Sequence, residues 1–265
     1  MAKTITKFAY RIKSEKEIPY ILEKAYHIST SGRPGPVLID IPMNFQRKKI
    51  NIKILKKFIQ PKQNLNFGMN KKINQVYNLL KKSKKPIFIL GGSVEIYKRK
   101  NKISKLYVNY LIPYVTTLSG KDFCFYDHNN YVGTIGFYGS RAANFAVQNS
   151  DFILNFGSRL DTRITGANPG TFARNAKIVS IDIDKNELNK QRGLKNYLKL
   201  NYNLGDFLKK FNKKAKYSCD ISWLEKCEEW NINYPNVLEK CITQKKLTNP
   251  YFFIEILSEN LQNKE

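Results

Sequence analysis

The sequence predicts an α/β protein with a Rossmann-like centre, in which a parallel sheet is covered by helices on both faces, preceded by a helix and strand that close another α/β domain. Three observations carry this. Short apolar runs alternate with helical stretches from Lys71 onward, the pattern of strands in a parallel sheet with crossover helices. A Pro/Gly turn, Arg33-Pro34-Gly35-Pro36, feeds the mostly apolar run Val37 to Ile41 almost at the start of the chain. Between the two lies a polar, lysine-rich stretch, residues 47–70, with Pro61 and Gly68 inside it, which reads as a linker.

Taken in order, "EKEIPYILEKAYHIST" places Ile18, Leu22, Ala25 and Ile28 at spacings of three and four, an amphipathic helix. It leads into Val37 to Ile41, interrupted only by Asp40, as a covered strand requires. Beyond the linker come a helix around Lys71 to Lys82, a strand Pro86 to Gly92, a helix around Val94 to Tyr110 and a strand "IPYVTTL". A helix "SRAANFAVQNS", strands "DFILNFG" and "AKIVSIDID", and a short strand "YLKLNYN" follow.

Composition excludes several classes. With 265 residues, 42% of them hydrophobic and 13% aromatic, the chain can fill a real core and is not a disordered tail. No basic-then-apolar leader opens it, and no apolar run approaches the ~20 residues of a membrane span, so a cytoplasmic protein without a membrane partner is expected. Cys124, Cys219, Cys227 and Cys241 form no CxxC pair, and with only two histidines neither a zinc site nor a disulfide framework is supported. The formal charge of +25 invites a nucleic-acid partner. Its lysines are scattered over every segment instead of being interleaved with aromatics along one element, so a basic solvated surface is the expectation and no nucleic acid is assigned.

Ligands of such a sheet bind beyond the carboxyl ends of its strands. Gly91-Gly92-Ser93 opens a helix where bare backbone can approach a phosphate, although a tight turn alone also explains the glycines. Thr116-Thr117-Leu118-Ser119-Gly120-Lys121 offers hydroxyls and an ammonium group, or simply turn chemistry. In Gly157 to Gly166, Arg159 and Arg163 flank Asp161 in reach of a diphosphate, or form a salt-bridged loop. Asp182 and Asp184 end a strand, where an acid can take ribose hydroxyls, and Asp184 can instead cap the helix that starts at Lys185.

In order and spacing, "SGRPGPVLIDIP", the Gly91-Gly92 turn, "VTTLSGK", "GTIGFYGSRAANFAVQNSDFILNFGSRLDTRITG" and "FARNAKIVSIDID" resemble the thiamine-diphosphate-dependent enzymes of the acetolactate synthase type. The resemblance runs over nearly the whole chain. It implies residues 1–46 as the C-terminal end of a pyrimidine-binding domain, 47–70 as linker, 71–215 as the central domain, and 216–265 as a connector with the truncated start of a diphosphate-binding domain. Both ends are expected to be cut, since Asn249-Pro250 starts a helix whose apolar stripe, Phe253, Ile256, Leu257 and Leu261, has nothing downstream to pack on.

Also implied are thiamine diphosphate and Mg2+, held mainly by the other two domains, a 2-oxo acid substrate such as pyruvate, and a homodimer or homotetramer of the full-length protein. No catalytic and no metal-binding residue is assigned in this chain, and the isolated chain is expected to be inactive. The resemblance further implies that a flavin (FAD) or ADP-like nucleotide would meet Gly91, Gly92, Thr117, Leu118, Gly136, Arg159, Asp161, Arg163 and Asp182. Ser93, Ser119 and Phe137-Tyr138 depart from the family's pattern there, so binding is expected to be weak or absent. The alternative is a stand-alone nucleotide-binding or regulatory module.

Overall fold

The computed structural model describes residues 1–51, 55–61, 67–94, 110–123, 130–190, 193–214, 216–243 and 247–261. They form two units, Met1–Phe67 with Ile183–Lys185, and Gly68–Asp182 with Asn186–Glu265.

In the first unit, β1 (Phe8–Arg11) and β2 (Val37–Asp40) pair in parallel, Phe8 opposite Val37 and Arg11 opposite Asp40, with helix α1 (Ile18–Thr30) between them in the chain. A reciprocal cap starts the helical segment: Lys16 N–H donates to the Ser14 side chain, and Lys13 and Ser14 N–H donate to Glu17 Oε1. Those backbone bonds, led by Lys13 N–H, hold the Glu17 carboxyl below its usual range.

Two expectations are corrected here. The helix is present, but it buries Ile21 and Ala25, one turn apart, and leaves Leu22 at 45% exposure. The strand is present but not covered, alternating half-buried and exposed with Leu38 at 46%. β1 escaped the sequence reading because four residues, FAYR, with one charge are too short to show a period.

The second unit is built on a six-stranded, all-parallel sheet: β3 (Pro86–Leu90), β4 (Tyr114–Thr116), β5 (Tyr131–Thr134), β6 (Phe152–Phe156), β7 (Lys177–Asp182) and β8 (Tyr197–Asn201). Their order across the sheet is β5-β4-β3-β6-β7-β8. The chain therefore builds outward from β3 to one side, then crosses back and builds outward to the other, which is the doubly wound order of dinucleotide-binding folds. Every residue of β3 and β6 is buried, which is why both read as apolar runs, broken in β6 only by Asn155.

Helix α2 (Met69–Lys82) enters through Gly68, whose φ of +69 is a left-handed conformation that favours glycine. It buries Met69, Ile73, Val76, Tyr77 and Leu80, a single helical face. Each such fully buried apolar side chain contributes about 1.5–3 kcal/mol. Helix α3 (Arg141–Asn149) is capped by Ser140 and precedes β6; α4 (Thr162–Thr165) follows β6, and α5 (Lys185–Asn189) follows β7. Helix α6 (Leu204–Phe211) buries Phe207 and Phe211, and Tyr110 stacks on Phe211 at 4.9 Å while donating to its carbonyl at 2.9 Å. Burial, with no compensating charge, pushes the Tyr110 phenol far above its usual value. Helix α7 (Ile221–Asn233) is pinned to the start of β3 by Trp223 Nε1, which donates to Pro86 O at 2.9 Å.

Within "IPYVTTL" the strand is Tyr114–Thr116, which joins the sheet. Tyr110, expected at the end of the preceding helix, is instead extended, and Tyr110–Leu111 pairs in parallel with Tyr217–Ser218. β5 and α6 were not foreseen. "YVGT" carries Gly133 at φ +132, where a Cβ would lie 2.5 Å from Ser140 Oγ, so the residue that makes the packing possible also hides the strand. The helix expected around Val94 to Tyr110, and Cys124, fall on residues 95–109 and 124, outside the described residues.

Helix α8 (Pro250–Asn260) starts at Asn249-Pro250 as expected, Asn249 Oδ1 accepting from Tyr251 N–H at 3.0 Å. Its stripe Phe253, Ile256, Leu257 and Leu261 is 53, 42, 41 and 53% exposed. Among the described residues the cysteines Cys219, Cys227 and Cys241 are unbridged, and burial pushes the Cys219 and Cys227 thiols up to about 12. No helix among the described residues is long and apolar enough to cross a membrane.

Candidate functional site

The reversal of strand order falls at β3, so the residues beyond β3, β4 and β6 are the place to look. The structure brings the predicted glycine turns together there by backbone contact. Gly91 is buried, and its N–H donates to Phe156 O at 2.9 Å. A Cβ on Gly91 would stand 2.5 Å from Gly157 O and from Ser158 N. On Gly92 it would stand 2.9 Å from Ser119 Cβ, and on Gly157, at φ +64, 2.4 Å from Ser93 Cβ. These glycines let the turns after β3, β4 and β6 lock onto one another, so tight loop packing already accounts for them.

Thr117 continues the lacing. It is 6% exposed and its N–H donates to Leu90 O at 3.0 Å, whereas Leu118 is 64% exposed at the rim. The Gly136 loop beyond β5 is held from three directions. Gly136 N–H donates to Asn144 Oδ1 at 2.9 Å, Asn144 Nδ2 donates to Gly136 O at 3.1 Å, and Phe137 N–H donates to Arg163 O at 2.8 Å. With φ +98 and a would-be Cβ 2.5 Å from Arg163 O, position 136 requires glycine. The loop presents Phe137 and Tyr138, edge to face at 5.0 Å and 84 and 72% exposed.

The Arg159-Asp161-Arg163 cluster is not the trio its spacing suggested. Leu160, buried at φ +49, turns the chain. Arg159 Nε lies 3.9 Å from Glu187 Oε2 on α5, a carboxylate only 6% exposed that also pairs with Lys190. Asp161 Oδ1 instead accepts from Arg163 N–H at 3.0 Å and caps α4. The loop does carry an ion pair, but the counter-ion of Arg159 lies outside it. The exposed Arg163 guanidinium has no ion pair among the described residues. Asp182 ends β7 half-buried, its carbonyl taking Asn201 Nδ2 at 3.0 Å.

Three positions here went unnoticed in the sequence. Glu187 gave no signal within the polar run "DKNELNK", and Asn144 none within a helix. Asn155 did, as a polar residue inside "DFILNFG". It is fully buried, its Nδ2 donates to Ser158 O at 2.6 Å and to Ser180 Oγ at 2.9 Å, and its Oδ1 has no partner. Asn155 thus ties the β6 turn that carries Arg159 to β7.

Six parallel strands in doubly wound order, with glycine turns interlocked at the reversal, define a Rossmann-type domain. Residues 73–211 match the central domain of thiamine pyrophosphate enzymes, and the chain belongs to that family. Among similar proteins are acetolactate synthase isozyme 2 large subunit of Escherichia coli, 34% identical over 71% of this chain and 33% of its own length, and acetolactate synthase large subunit of Lactococcus lactis, 36% identical over 70% and 32%. Acetolactate synthase large subunit of Porphyra purpurea is 31% identical over 89% of this chain and 41% of its own length. The chain spans about a third of the length of the curated relatives it matches first.

Proposed function

We propose that the chain supplies the central domain of a thiamine-diphosphate-dependent enzyme of the acetolactate synthase type, acting on a 2-oxo acid such as pyruvate by decarboxylation and carboligation. The observation that carries the reading is the family match over the six-stranded unit, joined by relatives named acetolactate synthase. In this reading residues 1–46 end a pyrimidine-binding domain, residues 216–265 lead into a diphosphate-binding domain, and the whole protein is a cytoplasmic homodimer or homotetramer.

Thiamine diphosphate, when bound, supplies the stabilised carbanion that 2-oxo acid decarboxylation needs. The residues described here do not fit a magnesium–diphosphate site. A hard divalent cation takes six or more oxygen donors, and no group of three or more His, Cys, Asp or Glu among the described residues could hold one. In this reading the cofactor and its metal are held mainly by the other domains, so the chain alone is expected to be inactive. Purified 265-residue chain supplied with pyruvate, thiamine diphosphate and Mg2+ is expected to form no product, and turnover above the protein-free blank overturns the reading.

The nucleotide residues that the resemblance implies do not fit a tightly held flavin either. Gly91 faces backbone, Arg159 is engaged by Glu187, and Asp161 is spent on a helix cap. The purified protein is expected to be colourless, with no change in melting temperature on adding FAD or ADP. A yellow protein with a flavin absorbance band contradicts this.

A further inference from the structure

Helices α2 and α6 border an open concavity of about 500 Å3, apart from the glycine turns. It is lined by Asn70, Ile73 and Asn74 from the first two turns of α2, and by Lys210, Lys213 and Lys214 from the end of α6 and the turn after it. Ile73, 1% exposed, belongs to the hydrophobic core, and its place in the lining puts the floor of the concavity on that core. The mouth is polar. Lys210 Nζ donates to Asn70 Oδ1 at 3.1 Å, which leaves the Asn70 amide with its two N–H donors.

The charge is one-sided. No carboxylate lines the concavity, and Lys210, Lys213 and Lys214 are in no ion pair among the described residues. Lys209 and Lys213, and Lys210 and Lys214, are each four positions apart, a spacing at which like charges repel. The chain after α6 holds this arrangement, because Lys213 N–H donates to Lys210 O at 3.2 Å and Lys214 N–H to Phe211 O at 2.9 Å. Lys210 and Lys214 are also half-buried, their stems covered while the charged heads stay at the surface. Helix α2 adds a first turn with no acidic residue and no side-chain cap at its positive end. A bound anion relieves the repulsion between Lys210 and Lys214 and lies beside the first two turns of α2, and the volume is that of a metabolite-sized ligand.

We propose that this concavity binds a small polyanion, a ligand with at least two phosphate-type charges held by Lys210, Lys213 and Lys214 and oriented by Asn70 and Asn74. The proposal does not rest on the enzyme reading above. The probe is inorganic pyrophosphate, titrated calorimetrically into the 265-residue chain at constant ionic strength. Saturable one-to-one binding is expected, weakened about tenfold or more by Lys213→Ala with Lys214→Ala, as loss of two charge-assisted contacts implies.

Asn74→Asp, an exposed position, places a negative charge in the lining without touching the core and is expected to weaken binding equally. It keeps the test decisive if the lysine variant folds poorly. Lys81→Ala with Lys82→Ala, at the far end of α2, is expected to leave the affinity unchanged. Absence of saturable binding, equal loss in both lysine pairs, or binding only to an oligonucleotide overturns the proposal.

Discussion

Replacing Gly91 by alanine separates two roles a glycine can have beside a phosphate-type turn. Gly91 is not one of the glycines with positive φ, so backbone strain plays no part and the effect is contact alone. The new Cβ would stand 2.5, 2.5 and 2.6 Å from Gly157 O, Ser158 N and Gly157 C, all backbone, where no side chain can rotate away. Overpacking of this kind costs about 1–3 kcal/mol, and three backbone clashes at once put this variant near ~3 kcal/mol. For a domain of roughly 200 residues that corresponds to a fall in Tm of about 6–12 °C. Gly170→Ala is the control, since its nearest atom, Asn168 Oδ1, is 3.3 Å away and belongs to a side chain. Thermal unfolding followed by circular dichroism reads both. A Gly91→Ala protein melting within about 1 °C of the parent would refute the packing argument and return Gly91 to the role of an open cradle.

Asn155→Ala leaves Ser158 O and Ser180 Oγ without their buried donor, and a loss of about 2–3 kcal/mol in urea unfolding is expected, with m unchanged. Cys219 and Cys227, with thiols pushed up to about 12, resist a thiol reagent at pH 8 in the native protein and react on unfolding; peptide mass spectrometry after brief labelling checks this. Because folding lowers the Glu17 carboxyl below its ordinary range, its contribution is present above that range and disappears as pH falls through the lower folded value. Amide exchange at Lys13 and Ser14 is therefore faster in Glu17→Gln than in the parent near neutrality, and the two converge in acid.

The central sheet was legible because its inner strands are buried on both faces and need apolar runs, unbroken in PIFIL and interrupted only by Asn155 in FILNF. β5 was not, because Gly133 serves a contact with Ser140, seven positions along the chain, that a strand pattern cannot show. The face of α1 was misassigned for a related reason. Leu22 fits the helical period as well as Ile21 does, and only the packing of the helix against β2 and β1, the latter too short to detect, decides which one is covered. At the candidate site the positions of the glycine turns were readable, but their purpose was not. Whether Gly91 opens toward a ligand or closes on Gly157 depends on a contact 66 positions away. Likewise the counter-ion of Arg159 is Glu187 rather than the adjacent Asp161, because the left-handed Leu160 redirects the chain.

The most direct test of the central claim is to read the coding DNA on either side of this frame. A piece of a thiamine-diphosphate enzyme of the acetolactate synthase type requires the frame to continue upstream into a domain with a buried glutamate and downstream into a GDG motif followed by a metal-binding asparagine. Authentic start and stop signals bracketing the 265 codons would contradict it and leave the Rossmann-type unit as a nucleotide-binding or interaction module.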